Sequence, residues 1–325
     1  MKIEGGVPRI IENTLTDADK GKVVWAPAKS IWFLSNALVA VIGGYIYFSW
    51  SALVLFFIFT GMTLCLGHSL GMHRRLIHSS YQCPLWLEYI LVHFGVLVGM
   101  AGPLGMVYQH DLRDWAQRKT SCHAYLRHGE SFFKDGWWQL NCDLQLDNPP
   151  MFSPEDRIKK DAIFSLMERT WMLQQVPWAL LFFAIGGLSW VVWGICARVT
   201  VSVAGHWLVG YFAHNQGHRS WHVSGAAVQG HNVPFAAILT MGESWHNNHH
   251  AFPGSAVLGI YESQVDPGWW VLNALRNMGL VWNVVLPTDL PERSELILID
   301  DESSGPGKLK DLKPCSVLSA FRIGL

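Results

Sequence analysis

The chain has 325 residues, of which 50% are hydrophobic and 15% charged, with a formal net charge of -1. That composition is too apolar for a soluble enzyme with an ordinary surface, and the near-zero charge removes any electrostatic case for nucleic acid. Its 17 tryptophans suit anchoring at membrane interfaces.

Residues 1–30 are polar, with Asp17, Asp19 and Lys20 where a secretory signal would need an apolar stretch. They read as a cytoplasmic N-terminal segment. Two apolar runs follow, Ile31–Phe48 and Ala52–Gly67, separated by Ser49-Trp50-Ser51. As helices they measure about 24–27 Å, near the thickness of a bilayer core. A second pair covers Trp171–Ile185 and Leu188–Val209, with Gly186-Gly187 between them. Trp50 and Trp190 mark the two tips, which carry no Lys or Arg. Lys2, Arg9, Lys20, Lys22 and Lys29 precede the first run, and Arg74-Arg75 follow the second. The positive-inside rule then puts both termini and the sequence between the pairs in the cytoplasm. The expectation is an all-α integral membrane protein, with four transmembrane helices in two hairpins and a cytoplasmic His-rich helical cap.

A third apolar run, Leu85–Tyr108, is interrupted by Glu88, His93 and Gly102-Pro103 and reads as an interfacial or protein-buried helix. Arg198 falls near the middle of the fourth run. A charge there is a functional candidate and equally a candidate for pairing inside the bundle. The membrane domain covers residues 31–287, and 288–325 read as a soluble tail. Cys65, Cys83, Cys122, Cys142, Cys196 and Cys315 form no CxxC pair and read as reduced thiols.

Most of the 15 histidines fall just outside the apolar runs. His246, His249 and His250 stand at i, i+3 and i+4, which is one face of a helix. Three converging imidazoles repel when protonated and need partners when buried and neutral; a transition metal answers both problems. His73 and His78 are five residues apart. An α-helix would turn them about 140° from each other and separate them by about 7.5 Å along the axis. That suits two ions, each taking one imidazole, better than a single ion. With His110 and His214 added, the histidines form a nitrogen-rich two-metal set, for which iron is a better choice than zinc.

The stretch Leu66-Gly67-His68-Ser69-Leu70-Gly71-Met72-His73-Arg74-Arg75-Leu76-Ile77-His78-Ser79-Ser80-Tyr81 resembles the first histidine box of the membrane acyl-CoA (stearoyl-type) desaturases. Glu243-Ser244-Trp245-His246-Asn247-Asn248-His249-His250-Ala251-Phe252-Pro253 resembles their third box nearly residue for residue. His206–His214 is similar to the segment that supplies one further ligand. The resemblance covers roughly residues 30–265. It implies a non-haem di-iron centre that uses O₂ to remove two hydrogens from an unactivated acyl chain held in a narrow tunnel. The acyl group would be carried on CoA, a carrier protein or a lipid, and electrons would come from a ferredoxin or cytochrome b5 type of partner. It implies His73, His78, His110, His214, His246, His249 and His250 as ligands.

The second box departs from the family's HxxHH. Here it reads His110-Asp111-Leu112-Arg113-Asp114-Trp115-Ala116-Gln117, a variant similar to a bacterial branch, which points to a bacterial inner membrane. Arg113 has no lone pair to offer. Asp114, at i+4 from His110, either replaces one imidazole or pairs with Arg113 or Arg118. His123 and His128 are further ligand candidates or simply loop histidines. Gly210-Tyr211 stands where the family has Asn-Ser, with Asn215 close by. His68 reads as a residue behind the ligands or a tunnel wall, and Glu243, Asp111 and Glu262 are candidates to orient ligating imidazoles. His218, His222 and His231 read as loop or entrance residues. No His-Pro-Gly-Gly segment is present, so the reductant is expected from a partner. Two rivals remain: a hydroxylase or ketolase on the same scaffold, and a non-enzymatic membrane protein that binds metal or haem.

Overall fold

The structure, a computed structural model, describes residues 8–299; most of the segment read as a tail lies outside them. It is mostly helical. In chain order the principal helices are α1 (Pro27–Ile46), α2 (Trp50–Ile77), α3 (Leu85–Leu97), α4 (Pro103–Gln117), α5 (Ala124–Arg127), α6 (Phe132–Asn141), α7 (Gln175–Asn215), α8 (His246–Ala251) and α9 (Pro267–Asn277). Antiparallel strand pairs join Ile10–Ile11 to Met151–Phe152, Gly21–Trp25 to Cys142–Leu146, and Trp221–Val223 to Leu296–Leu298. The last pairing shows that the chain just past residue 288 is partly ordered, although its composition reads as a tail.

Helices α1, α2 and α7 are long and apolar enough to cross a membrane. Their outward faces are apolar: Ile31, Val41, Phe57, Leu180 and Ile185 are all exposed. The third apolar run, read from the sequence as one interfacial or protein-buried helix, is two helices parted at Gly102-Pro103. Helix α3 has 13 residues, about 20 Å, which is short of a bilayer core. Helix α4 opens at Pro103, whose ring favours a first helical position.

The chain clusters into two compact units. The first holds the chain through Thr60, Val96–His214 and Gly225–Val228. In it α7 breaks at Gly187, whose φ of 63° and ψ of −156° suit glycine alone. The chain folds back there. Phe182 and Gly194 would lie about 18 Å apart on a straight helix, yet a Cβ at Gly194 would come within 2.8 Å of the Phe182 ring. The tips are tied as well: the Ser49 and Ser189 hydroxyls meet at 2.7 Å, and Trp190 Nε1 donates to Ser51 Oγ at 3.1 Å.

Arg198 is fully buried in this unit. Its guanidinium donates to Gly194 O at 2.8 Å, to Leu97 O, and to Gln175 Oε1 at 2.5 Å, and it lies 5.0 Å from the centroid of the Phe59 ring. Of the two roles open to it from the sequence, the structure shows pairing inside the bundle.

The second unit holds Gly61–Gly95, Asn215–Ser224 and the chain from Gln229 onward. The C-terminal part of α2, Thr63–Ile77, is wound as a π-helix. It packs directly on α3. A Cβ at Gly67 would lie 2.3 Å from Gly95 N, and one at Gly71 would lie 2.4 Å from Leu91 O. This is the small-xxx-small contact that lets helix backbones touch. Leu70, Tyr81, Leu87, Leu91, Val257, Trp269 and Leu272 form the core around it.

Replacing Arg198 with Ala leaves Gln175 Oε1 without its donor and the Leu97 carbonyl with the Gln175 amide alone, at about 1–3 kcal/mol for an unsatisfied buried group. The expected result is a lower thermal midpoint in detergent micelles, with Arg198→Lys intermediate. An unchanged midpoint would rule out the clamp.

Candidate metal centre

The π-helical winding decides the geometry of the first box. The His78 N–H donates to His73 O at 3.0 Å, an i→i+5 bond. Residues five apart therefore come round to the same side of the helix, and the two rings sit 4.8 Å apart, edge to face. The α-helical divergence expected from spacing is corrected here, because that expectation assumed i→i+4 bonds. The third box supplies His249, whose ring lies 4.6 Å from that of His73 and 4.9 Å from that of His78. His73, His78 and His249 each offer a ligand atom within 4.8 Å of the others.

Helix α8 has six residues, too few to be stable alone. It is held by the two asparagines that lie between its histidines. Asn247 Oδ1 accepts from Ser220 N and Trp221 N, both at 2.9 Å, and its amide donates to Trp221 O at 2.8 Å and Gly230 O at 2.9 Å. Asn248 donates to Leu258 O at 2.7 Å and Gln264 Oε1 at 2.8 Å. Arg293 closes the far end, donating to His250 O at 3.0 Å and Ala251 O at 2.9 Å. The opposite face is left to the imidazoles. His246 and His250 bring their Nε2 atoms to 3.0 Å. Two nitrogens bound at right angles to one ion, each about 2.1 Å from it, lie about 3 Å apart.

Glu243 stands behind His73, with Oε2 2.6 Å from Nδ1, and accepts from Ser69 Oγ at 2.6 Å on its other oxygen. Burial pushes this carboxyl up, but the His73 imidazole and the Arg74 guanidinium outweigh burial and hold it well below the usual carboxylate range. A carboxylate on Nδ1 leaves Nε2 as the donor atom, the usual arrangement behind a ligating histidine. Arg74 donates to Asp266 at 2.8 Å and to Ala256 O at 2.8 Å. His68 lies further back, its ring 6.4 Å from that of His73. Glu262 is exposed.

The second-box residues belong to the first unit. His110 Nδ1 lies 3.5 Å from Asp111 Oδ1, and Asp111 pairs with Arg9 at 3.1 Å. Burial pulls the His110 pKa down, but Asp114 and Asp111 outweigh it and the net shift is upward. Asp114 lies 3.4 Å from Arg118 and is not among the clustered donor atoms. Arg113 donates to Leu126 O and His128 Nε2 at 2.9 Å and to Gln139 Oε1 at 3.0 Å. His128 is buried, with Nδ1 2.9 Å from Asp135. His123 caps α5, accepting from Tyr125 N at 3.1 Å. His214, near the end of α7, has its ring 5.3 Å from that of His128. A Cβ at Gly210 would come 3.0 Å from His128 Nε2, which accounts for glycine there. In the second unit, His218 pairs its backbone with Asn232 and its Nε2 lies 3.2 Å from Ser220 Oγ.

The sequence pointed to the imidazoles and to Glu243, but offered no reading of Ser69 or Arg293, which the structure places against Glu243 and the end of α8. Ser69 lies four residues before His73, one turn away, which was the available signal. Arg293 left none, because it acts across the fold. Replacing Glu243 with Gln keeps the shape and removes the charge behind His73. Metal titration of the purified apoprotein should then show affinity lower by about 10–100-fold. Unchanged affinity would separate Glu243 from the site.

No protein-family profile matches the chain. Individual relatives do. The chain is 32% identical over 246 residues to an sn-2 palmitoyl-lipid 9-desaturase of Nostoc sp. (strain 36), covering 74% of this chain and 83% of that protein. It is 31% identical over 280 residues to an sn-1 stearoyl-lipid 9-desaturase of Anabaena variabilis, covering 84% and 98%. It is 30% identical over 250 residues to an acyl-CoA 5-desaturase of Anemone leveillei, covering 76% and 75%. Similarity at this level over most of each protein shows common descent, and the chain belongs to the fatty acid desaturase family, an oxidoreductase of lipid metabolism.

Proposed function

We propose that the chain is an integral membrane, O₂-dependent desaturase that introduces a double bond into a saturated fatty acyl chain, using two iron ions held by its histidines. The observation that carries this reading is the convergence of His73, His78 and His249, with Glu243 fixing the donor nitrogen of His73. The residues fit iron: the donor atoms are imidazole nitrogens, a set that suits it. The first and third boxes supply His73, His78, His246, His249 and His250 as the proposed ligands. The order of the boxes in the sequence adds His110 and His214, with Asp114 as the carboxylate candidate. When bound, the iron pair would activate O₂, the oxidant that breaking an unactivated methylene C–H bond requires. The protein's share is to hold the imidazoles in place and the methylene beside them, since small misplacements cost rate steeply.

The fold-back at Gly187 supports reading α7 as two spans, giving four with α1 and α2. The lysines and arginines flanking the spans support a site and both termini on the cytoplasmic side, and the variant second box, similar to a bacterial branch, supports a bacterial inner membrane. The relatives' names include acyl-lipid and acyl-CoA desaturases, so the substrate proposed is a fatty acyl group on a lipid or thioester. Electrons come from a ferredoxin or cytochrome b5 type of donor.

The test is a mass-spectrometric acyl profile of a host expressing the chain with a redox partner, beside His249→Ala. A new mono-unsaturated chain in the wild type alone is expected. A product heavier by one oxygen would make it a hydroxylase instead, and a wild type that binds no iron would sink the di-iron reading.

A further inference from the structure

Helix α4 carries a buried polar residue that the second box does not account for. Gln117 follows His110 by seven residues, two α-helical turns, and so lies on nearly the same face. It is 1% exposed. Its amide orientation is fixed by its partners. Nε2 donates to Leu126 O at 2.7 Å, and the flipped amide would bring two acceptor oxygens that close together. Oε1 is therefore the atom that lies 3.2 Å from His214 Nε2.

The tautomer of His214 is fixed in the same way. Its Nδ1 lies 2.7 Å from Gly210 O. A carbonyl oxygen only accepts, so Nδ1 carries a proton, and in the neutral ring, the form that can bind a metal, Nε2 presents a lone pair. Two lone-pair atoms, His214 Nε2 and Gln117 Oε1, thus face each other across 3.2 Å. They repel unless they share a cation, and donors bound to one ion sit at about this separation.

We infer that Gln117 Oε1 is an oxygen ligand to the metal ion that His214 binds, taking the place of one of the two imidazoles absent from the second box. This rests on the iron reading proposed above. Arg113 stands at one of those two positions, and its guanidinium is spent on Leu126 O, His128 and Gln139. His128 gives Nδ1 to Asp135, and His123 is spent on the α5 cap. Asp114 remains the candidate for the other position. The bond from Gln117 Nε2 to Leu126 O polarises the amide and makes Oε1 the better donor.

The wild type, Gln117→Leu and Gln117→Glu are purified in detergent with iron supplied. Iron per chain is measured by elemental mass spectrometry, and each sample is examined by Mössbauer spectroscopy. The wild type is expected to hold two irons. Gln117→Leu should fall toward one, a loss of about half, while its iron-free thermal midpoint matches the wild type. Gln117→Glu, which keeps the shape and offers a carboxylate oxygen, should keep two irons and shift the quadrupole splitting of one of the two signals. If Gln117→Leu does not accumulate, the spectrum of Gln117→Glu carries the test. Two irons in both variants with wild-type spectra overturn the inference alone. Fewer than two in the wild type overturns the di-iron reading and the inference together.

Discussion

The i→i+5 winding of Thr63–Ile77 is the constraint on which the imidazole cluster depends. An α-helix through the same residues would point His78 away from His73, and His249 could approach only one of them. The wide turn is rare and needs support from outside the helix. It receives that support in two forms. Gly67 and Gly71 let the backbone press on α3, where any Cβ would collide. Carbonyls along the winding also take side-chain donors: Tyr81 Oη donates to Leu70 O at 3.0 Å, and Ser80 Oγ donates to Arg74 O at 2.8 Å. The first box is thus shaped by its neighbours as much as by its own sequence.

Around the cluster, several buried polar groups are met by partners distant in the chain. An unmet buried donor or acceptor costs about 1–3 kcal/mol, whereas a met one is close to neutral. Asp266 illustrates the economy. It takes Arg74, the N–H groups of Leu258 and Gly259, and the N–H of Trp269 at the start of α9. One carboxylate therefore joins the first box, the loop after the third box, and a helix cap. Asn247 and Asn248 do the same for α8, converting a helix too short to persist alone into a fixed platform for three histidines. In such a network the satisfied bonds rigidify the site, and a single missing partner loosens more than one element.

The apolar helices solve a different problem. Where apolar side chains face outward, a buried charge has no water to fall back on. Arg198 is placed where the protein itself has groups to satisfy. The last carbonyls of any helix lack an intrahelical partner, and at the end of α3 the Leu97 carbonyl receives both Arg198 and the Gln175 amide, the latter at 2.9 Å. The charge and the helix end satisfy each other, which is why an arginine is tolerated there.

The sequence by itself determined the apolar runs, the break at Gly186-Gly187, the boundary at Gly102-Pro103, and the shared face of His246, His249 and His250. These follow from local rules: hydrophobic length, glycine freedom, proline geometry and helical period. It also singled out Glu243, because a carboxylate beside a histidine box has a chemical purpose. The tertiary structure alone decided the winding of the first box, the pairing of Arg198, the locking of Arg113 among carbonyls and His128, and the place of Gln117 beside His214. Each depends on partners distant in the chain, and no local propensity encodes which backbone a glycine will touch or which carbonyl an arginine will find.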